Sequence, residues 1–306
     1  MAPRGGGDKP VHRGTSEADS GVERMGMNDL TPEMIALDDS AWLQLLLRSI
    51  ETREIDGVTF PAFPRGEVQR RYVGTDYADT LQEASRFHAL VKARAHALGI
   101  ALTRGHKLLD FGCGWGRFMR YFWRDVGTRG LYGCDVGEEA VALCRELGAP
   151  GTVDRLYQNG RLPYADATMD VVIAYSVFTH LPEKPHLHWL AEIARVLRPG
   201  GVFALTLEPR RFLDHVAAIP ADTQDGWAKQ LLPFADQVPE LKRRFDNAEI
   251  AFMPTGVAGD FASEFYGDAA VPLGYVERHW SEWFSLREYV DDTTRFFQAV
   301  LVVQRK

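Results

Sequence analysis

The chain has 306 residues, a net charge of -7 and 45% hydrophobic residues, enough for a large core in one or two domains. Three cysteines are too few for a disulfide scaffold, and their odd number suits a reducing compartment. No run of about 18 apolar residues occurs, and the opening MAPRGGGDKPVHRG lacks an apolar signal segment. The expectation is therefore a cytoplasmic protein without a membrane span, and the acidic balance offers no general field for nucleic acid.

Residues 1–27 combine glycine, proline, serine and both signs of charge, and are expected to be a disordered tail. Asp29-Leu30-Thr31-Pro32-Glu33 offers capping residues with proline in a first helical turn. Trp42, Leu45, Leu46 and Ile50 continue at helical spacing. Phe60-Pro61-Ala62-Phe63-Pro64 must be extended, and a long helix is expected over 80–98. Residues 28–100 therefore read as an N-terminal helical extension.

From Lys107 the pattern alternates. Strands are expected at 107–111, 130–134, 170–175 and 202–207, with helices at 117–123, 138–147 and 186–197. This order argues for a parallel sheet with helices on both faces. Two strand-like runs, 283–290 and 297–303, are joined by Asp291-Asp292-Thr293-Thr294. So short a polar connection permits a hairpin, which makes the last strand antiparallel. Between them, about 210–276, periodicity is weak and an insertion over one end of the sheet is expected.

The most informative stretch is Asp110-Phe111-Gly112-Cys113-Gly114-Trp115-Gly116-Arg117. A buried strand enters a loop of alternate glycines and a helix leaves it. Open α/β sheets bind ligands at this carboxyl edge, and glycines let a ligand approach the backbone. Asp135 ends the next strand, where a carboxylate can accept from both hydroxyls of a ribose. The dinucleotide fingerprint is G-x-G-x-x-G/A, but here the spacing is G-x-G-x-G with Arg117 in the sixth place. A nicotinamide cofactor is disfavoured.

The loop resembles the first motif of the class I S-adenosylmethionine-dependent methyltransferases. Asp110, Gly112, Gly114, Gly116 and Asp135 match its residues in order and spacing. The segments 162–172, 176–181 and 192–201 are similar to the family's later motifs. The resemblance covers about 101–209. It implies a Rossmann-like, doubly wound α/β fold with a mostly parallel seven-stranded sheet and an antiparallel last strand. The methyltransferase domain would then be 101–306, with a lid insertion at 210–276.

It also implies S-adenosylmethionine as cofactor. Gly112, Cys113, Gly114 and Gly116 would carry the backbone beneath it, and Asp110 would hold the loop and the ligand's amino group. Asp135 would bind the ribose or cap the next helix; the two roles are compatible. Val136 would pack on the adenine and Asn159 would bond its edge, with Gln158 standing where relatives often have an acid. Ser176 would lie beside the methionine part. Arg71 could clamp a carboxylate, or belong to a solvated face.

His180 is the first candidate base, with a histidine fixing the loop as its alternative; His279 is the second and Glu208 a third. No cluster argues for a catalytic metal. Phe212, Trp227, Phe252, Phe261 and Tyr266 suggest an apolar lid over a small-molecule acceptor, such as a sugar or secondary metabolite. No basic, aromatic-interleaved stripe supports a nucleic-acid partner. An NAD(P)-dependent oxidoreductase and a non-catalytic S-adenosylmethionine-binding module are the rival readings. The sequence leaves oligomeric state open.

Overall fold

The computed structural model describes residues 29–256 and 265–306, so the tail expected over 1–27 and Phe261 lie outside the described residues. Two caps start the chain. The Thr31 hydroxyl accepts from the Met34 amide at α1 (Pro32–Ile35), and Asp38 accepts from the Ala41 amide at α2 (Asp39–Arg48). The helical periodicity is thus split between two short helices. A two-stranded ladder, β1 (Glu54–Ile55) with β2 (Val58–Thr59), leads through the extended proline segment to α3 (Gly66–Val73) and α4 (Tyr77–Ala97).

The alternating part follows in order: β3 (Leu108–Phe111), α5 (Arg117–Gly130), β4 (Leu131–Asp135), α6 (Glu138–Glu146), β5 (Thr152–Arg155), β6 (Met169–Ala174), α7 (Glu183–Val196) and β7 (Leu197–Leu207). The insertion then contributes α8 (Arg210–Ala217), α9 (Gly226–Leu231), a 3-10 turn (Leu232–Gln237), α10 (Val238–Asp246), β8 (Ala251–Met253) and β9 (Asp268–Ala270). Helix α11 (Leu273–His279) precedes the closing pair β10 (Phe284–Val290) and β11 (Ala299–Arg305).

The main sheet has seven strands in the order β10-β11-β7-β6-β3-β4-β5. Strands β7, β6, β3, β4 and β5 are parallel, while β11 runs antiparallel to both its neighbours. The fold is the expected Rossmann-like α/β sheet with a reversed final strand. Strands β3 and β6 are buried runs because helices cover both faces. The edge strand β5 is not among the strands expected from the sequence. Its run Thr-Val-Asp-Arg buries Val153 alone, too little for an apolar signal.

Three arginines on α5 join the N-terminal helices to the sheet. Arg117, Arg120 and Arg124 lie at i, i+3 and i+7, on one helical face, and all are buried. Arg120 donates to the Pro61 and Ala62 carbonyls, and Arg124 to those of Leu37 and Asp38. The insertion has its own apolar cluster, including Phe212, Leu213, Leu231, Leu241 and Met253. Its β8–β9 ladder lies along the carboxyl ends of β6 and β7. Ala269 donates to the Thr179 carbonyl, Val271 donates to that of Glu208, and Glu208 bridges Ala270.

Candidate active site

At the carboxyl end of β3 the glycine loop turns on positive φ, at +80° for Gly112, +53° for Gly114 and +82° for Gly116. The glycines do different jobs. A Cβ on Gly112 would lie 2.3 Å from Val177 Cγ2, and one on Gly116 would lie 2.8 Å from the Ala149 Cβ. These two positions are required by close packing. A Cβ on Gly114 would instead only touch the Tyr72 ring, 3.5 Å from its Cδ1.

Asp135 staples the loop. One carboxylate oxygen accepts from the Gly114 amide at 3.0 Å and the other from the Gly137 amide at 2.7 Å. Burial raises its pKa, and amide donors, those of Gly137 and Gly114 first, partly offset that. Asp110 is fully buried at the end of β3, and its Oδ2 has no hydrogen-bond partner among the described residues. Burial lifts its carboxyl to about 7, against the pull of Arg117. A buried carboxylate oxygen without a donor is costly unless a ligand supplies one. Val136 is half-buried against the core, whereas Asn159 is exposed in the loop after β5.

Arg71 points outward to Glu139 on α6, at 3.4 Å, with both side chains largely exposed. Its neighbour Tyr72 is the α3 residue that reaches the loop. Burial and the Asp135 carboxylate push the Tyr72 phenol up. That outcome was not legible, because helical phase rather than residue type decides which of two adjacent side chains turns inward. Trp115 is buried and packs on Phe63 and Arg120, so it supports the loop from within. Cys113 is buried in the same loop and touches Cys144, the strongest influence on its thiol, which is raised well above its usual range.

A second group gathers where β6, β7 and β11 meet. Ser176 adopts φ +58°, rare for a residue with a side chain, and its amide donates to Thr206 Oγ1 at 2.7 Å. Gln298 Nε2 donates to Ser176 Oγ at 3.0 Å and to Glu208 Oε1 at 2.9 Å. His180 lies after the same strand. Its Nδ1 is 2.7 Å from the Gly267 carbonyl, which can only accept. The neutral ring therefore carries its proton on Nδ1 and presents Nε2 as a base. Asp268 Oδ1 stands 3.7 Å from Nδ1, and Tyr266 stacks on the ring.

His279 lies elsewhere. It ends α11, stacks on Tyr275 at 4.3 Å, and borders a cavity of about 370 Å³ with Glu183, Arg244 and Phe252. Asp110, Asp135 and His180 do not line that cavity. The two histidines share residue type, but their contacts differ: His180 is held by Gly267 and Tyr266, His279 by Tyr275.

Among the described residues, Asp39, His88 and Asp125 converge closely enough to hold a metal. Lys92 and Arg124 reach into this group and supply its positive charge. It ties α2 and α4 to α5.

A methyltransferase-domain family model matches residues 109–205. The chain is 34% identical over 122 residues to the methyltransferase GfsG of Streptomyces halstedii, covering 38% of this chain and 43% of that one. It is 35% identical over 124 residues to a malonyl-[acyl-carrier protein] O-methyltransferase of Pectobacterium atrosepticum, covering 39% and 46%. It therefore spans less than half the length of these relatives. The PH0226 protein of Pyrococcus horikoshii shares the fold, with a TM-score of 0.50 at 16% identity over 78% of this chain and 97% of that one. The matched segment contains the glycine loop, Asp135 and the Ser176–His180 turn. Residues 109–205 are a methyltransferase domain of the class I S-adenosylmethionine-dependent family.

Proposed function

We propose that the chain transfers a methyl group from S-adenosylmethionine to a hydroxyl oxygen of a small molecule in the cytoplasm. The observation that carries this reading is the pair of carboxylates flanking the glycine loop, one of which keeps a buried oxygen without a donor. Asp110 Oδ2 fits the ammonium of the cofactor's methionine part. Asp135 retains lone pairs for the ribose while holding the loop. The backbone of Gly112, Cys113, Gly114 and Gly116 forms the floor, and Tyr72 the roof. Val136 offers an apolar contact to the adenine, Asn159 a hydrogen bond to its edge, and Ser176 a backbone contact to the methionine part. Arg71 lies too far toward solvent in this structure to be given the carboxylate.

When bound, S-adenosylmethionine supplies a methyl group activated by its sulfonium. The chain's own work is to orient the acceptor and take its proton. His180 suits the proton transfer. Its Nδ1–H is anchored on the Gly267 carbonyl, Nε2 accepts the hydroxyl proton, and Asp268 stabilises the imidazolium that results. His279 borders the cavity it shares with Glu183 and Arg244 and is given no step. The N-terminal helices and the inserted α8–β9 segment enclose the acceptor. The test is to incubate the protein with S-adenosylmethionine and a panel of hydroxylated small molecules. The expected result is a product one methyl heavier, formed with an equal amount of S-adenosylhomocysteine. Binding of the cofactor without transfer to any panel member would favour a non-catalytic role.

A further inference from the structure

The junction of β6, β7 and β11 holds polar atoms that the cofactor loop does not use. Glu208 follows β7 and is 2% exposed, and Gln298 precedes β11 and is 8% exposed. Because β11 is antiparallel to β7, its beginning lies at the carboxyl edge where β7 ends, with Ala299 opposite Leu207. The Gln298 amide nitrogen is saturated by Ser176 and Glu208. That leaves Gln298 Oε1 and Glu208 Oε2 buried with no partner among the described residues. Arg211, one turn further along, has a buried Nη2 in the same condition, although its Nε is held by Asp291 at 2.8 Å. A fold gains nothing from three such atoms, each of which costs free energy when dry. A ligand bound at this junction would supply the partners they lack.

Their mixture describes that ligand. Two unfilled acceptors and one unfilled donor suit hydroxyl groups, each of which donates and accepts. The guanidinium of Arg211 counts against a cation. An aromatic pair stands at the same end of the sheet. Phe297, adjacent to Gln298, is 54% exposed, and its ring meets Trp227 edge-on at 6.3 Å. Trp227 is itself fixed by its Nε1–H to Asp268 Oδ1 at 3.1 Å. An apolar wall beside a few convergent polar groups binds a ring with apolar faces and a polar rim.

We propose that Glu208 and Gln298 are the specificity-determining pair of the acceptor site, selecting a neutral, hydroxyl-rich ring that lies against Phe297 and Trp227. The proposal rests on the methyl-transfer reading, and its test separates the two. The full chain is first loaded with S-adenosylhomocysteine; failure to load overturns the methyl-transfer reading itself. Methyl α-glucoside, myo-inositol, cyclohexanol and cyclohexylamine are then titrated separately and followed by saturation-transfer NMR.

The two polyols should bind at least about tenfold more tightly than cyclohexanol, a difference of about 1.4 kcal/mol. Glu208→Met and Gln298→Met should each erase that preference while S-adenosylhomocysteine still binds. Each variant also breaks the Glu208–Gln298 hydrogen bond, so its melting temperature should fall by a few degrees. A variant that loses S-adenosylhomocysteine together with the polyols would assign the pair to the fold instead. Equal binding of all four probes, binding of none, or preference for cyclohexylamine also overturns the proposal.

Discussion

At the β3–β4 side of the sheet, Asp135 accepts from two backbone amides, of which the more distant in sequence is Gly114, 21 residues away. At the β7–β11 side, Glu208 meets Gln298 across 90 residues, and Ser176 meets Gln298 across 122. The first region holds its shape through local backbone, with Asp110 Oδ2 as its unfilled oxygen. The second holds its shape through side chains from three strands and keeps three unfilled atoms. On the proposed reading, a cofactor common to many reactions is met by a compact, local device, and an acceptor peculiar to one reaction by groups that tertiary structure assembles.

Four substitutions or conditions sharpen that contrast. The largest effect is expected at His180. His180→Ala should lower kcat by about 100- to 10,000-fold on whichever hydroxylated acceptor the protein turns over, the range for a lost general base. Its affinity for S-adenosylhomocysteine should be unchanged. An unaltered rate would make His180 a structural residue fixing Gly267. Next, Asp135→Ala removes the loop staple and, on the proposed reading, the ribose partner. Calorimetry should show S-adenosylhomocysteine binding weakened by about 1.5–3 kcal/mol. Equal affinity in variant and wild type would break the assignment of the loop side to the cofactor.

How much of this was legible in the sequence follows from the same contrast. Glycine spacing, Asp110 and Asp135 stand within 26 residues of chain, 110–135, and each residue type has a local physical reason to be there. Strands β3, β6 and β7 were legible because burial on both faces writes an apolar run. The polar edge strand β5 wrote none. The arginines of α5 carry no local sign of burial, yet the chain before the domain folds over them and its carbonyls accept their N–H groups. Tyr72 stood beside Arg71 in a segment already singled out, but helical phase decided between them. Gln298 carries no local signal, since its partners are brought to it by the reversed strand β11.

The third effect is a pH dependence. Burial raises the Asp110 carboxyl to about 7, so below that pH the unliganded loop holds a proton. A ligand ammonium at Oδ2 favours the ionised form and expels that proton. Affinity for S-adenosylhomocysteine should therefore climb as pH rises toward 7, by at most roughly tenfold per unit, and then level. Asp110→Asn should flatten the curve; a slope that survives in this variant belongs to another group. The smallest effect is expected at Arg71. It is exposed and paired only with exposed Glu139, so Arg71→Ala should change stability and cofactor affinity by less than about 0.5 kcal/mol. Tyr72→Ala, one residue on, should weaken S-adenosylhomocysteine binding severalfold, and the reverse pattern would restore Arg71 to the site.

The central claim is that the G-x-G-x-G loop with Asp110 and Asp135 receives an adenosyl-sulfur cofactor. Isothermal titration of the full chain with S-adenosylmethionine, S-adenosylhomocysteine and NAD, each alone, addresses it directly. The account predicts micromolar binding of both sulfur ligands and no heat from NAD. Binding of NAD, or silence from both sulfur ligands, would contradict it.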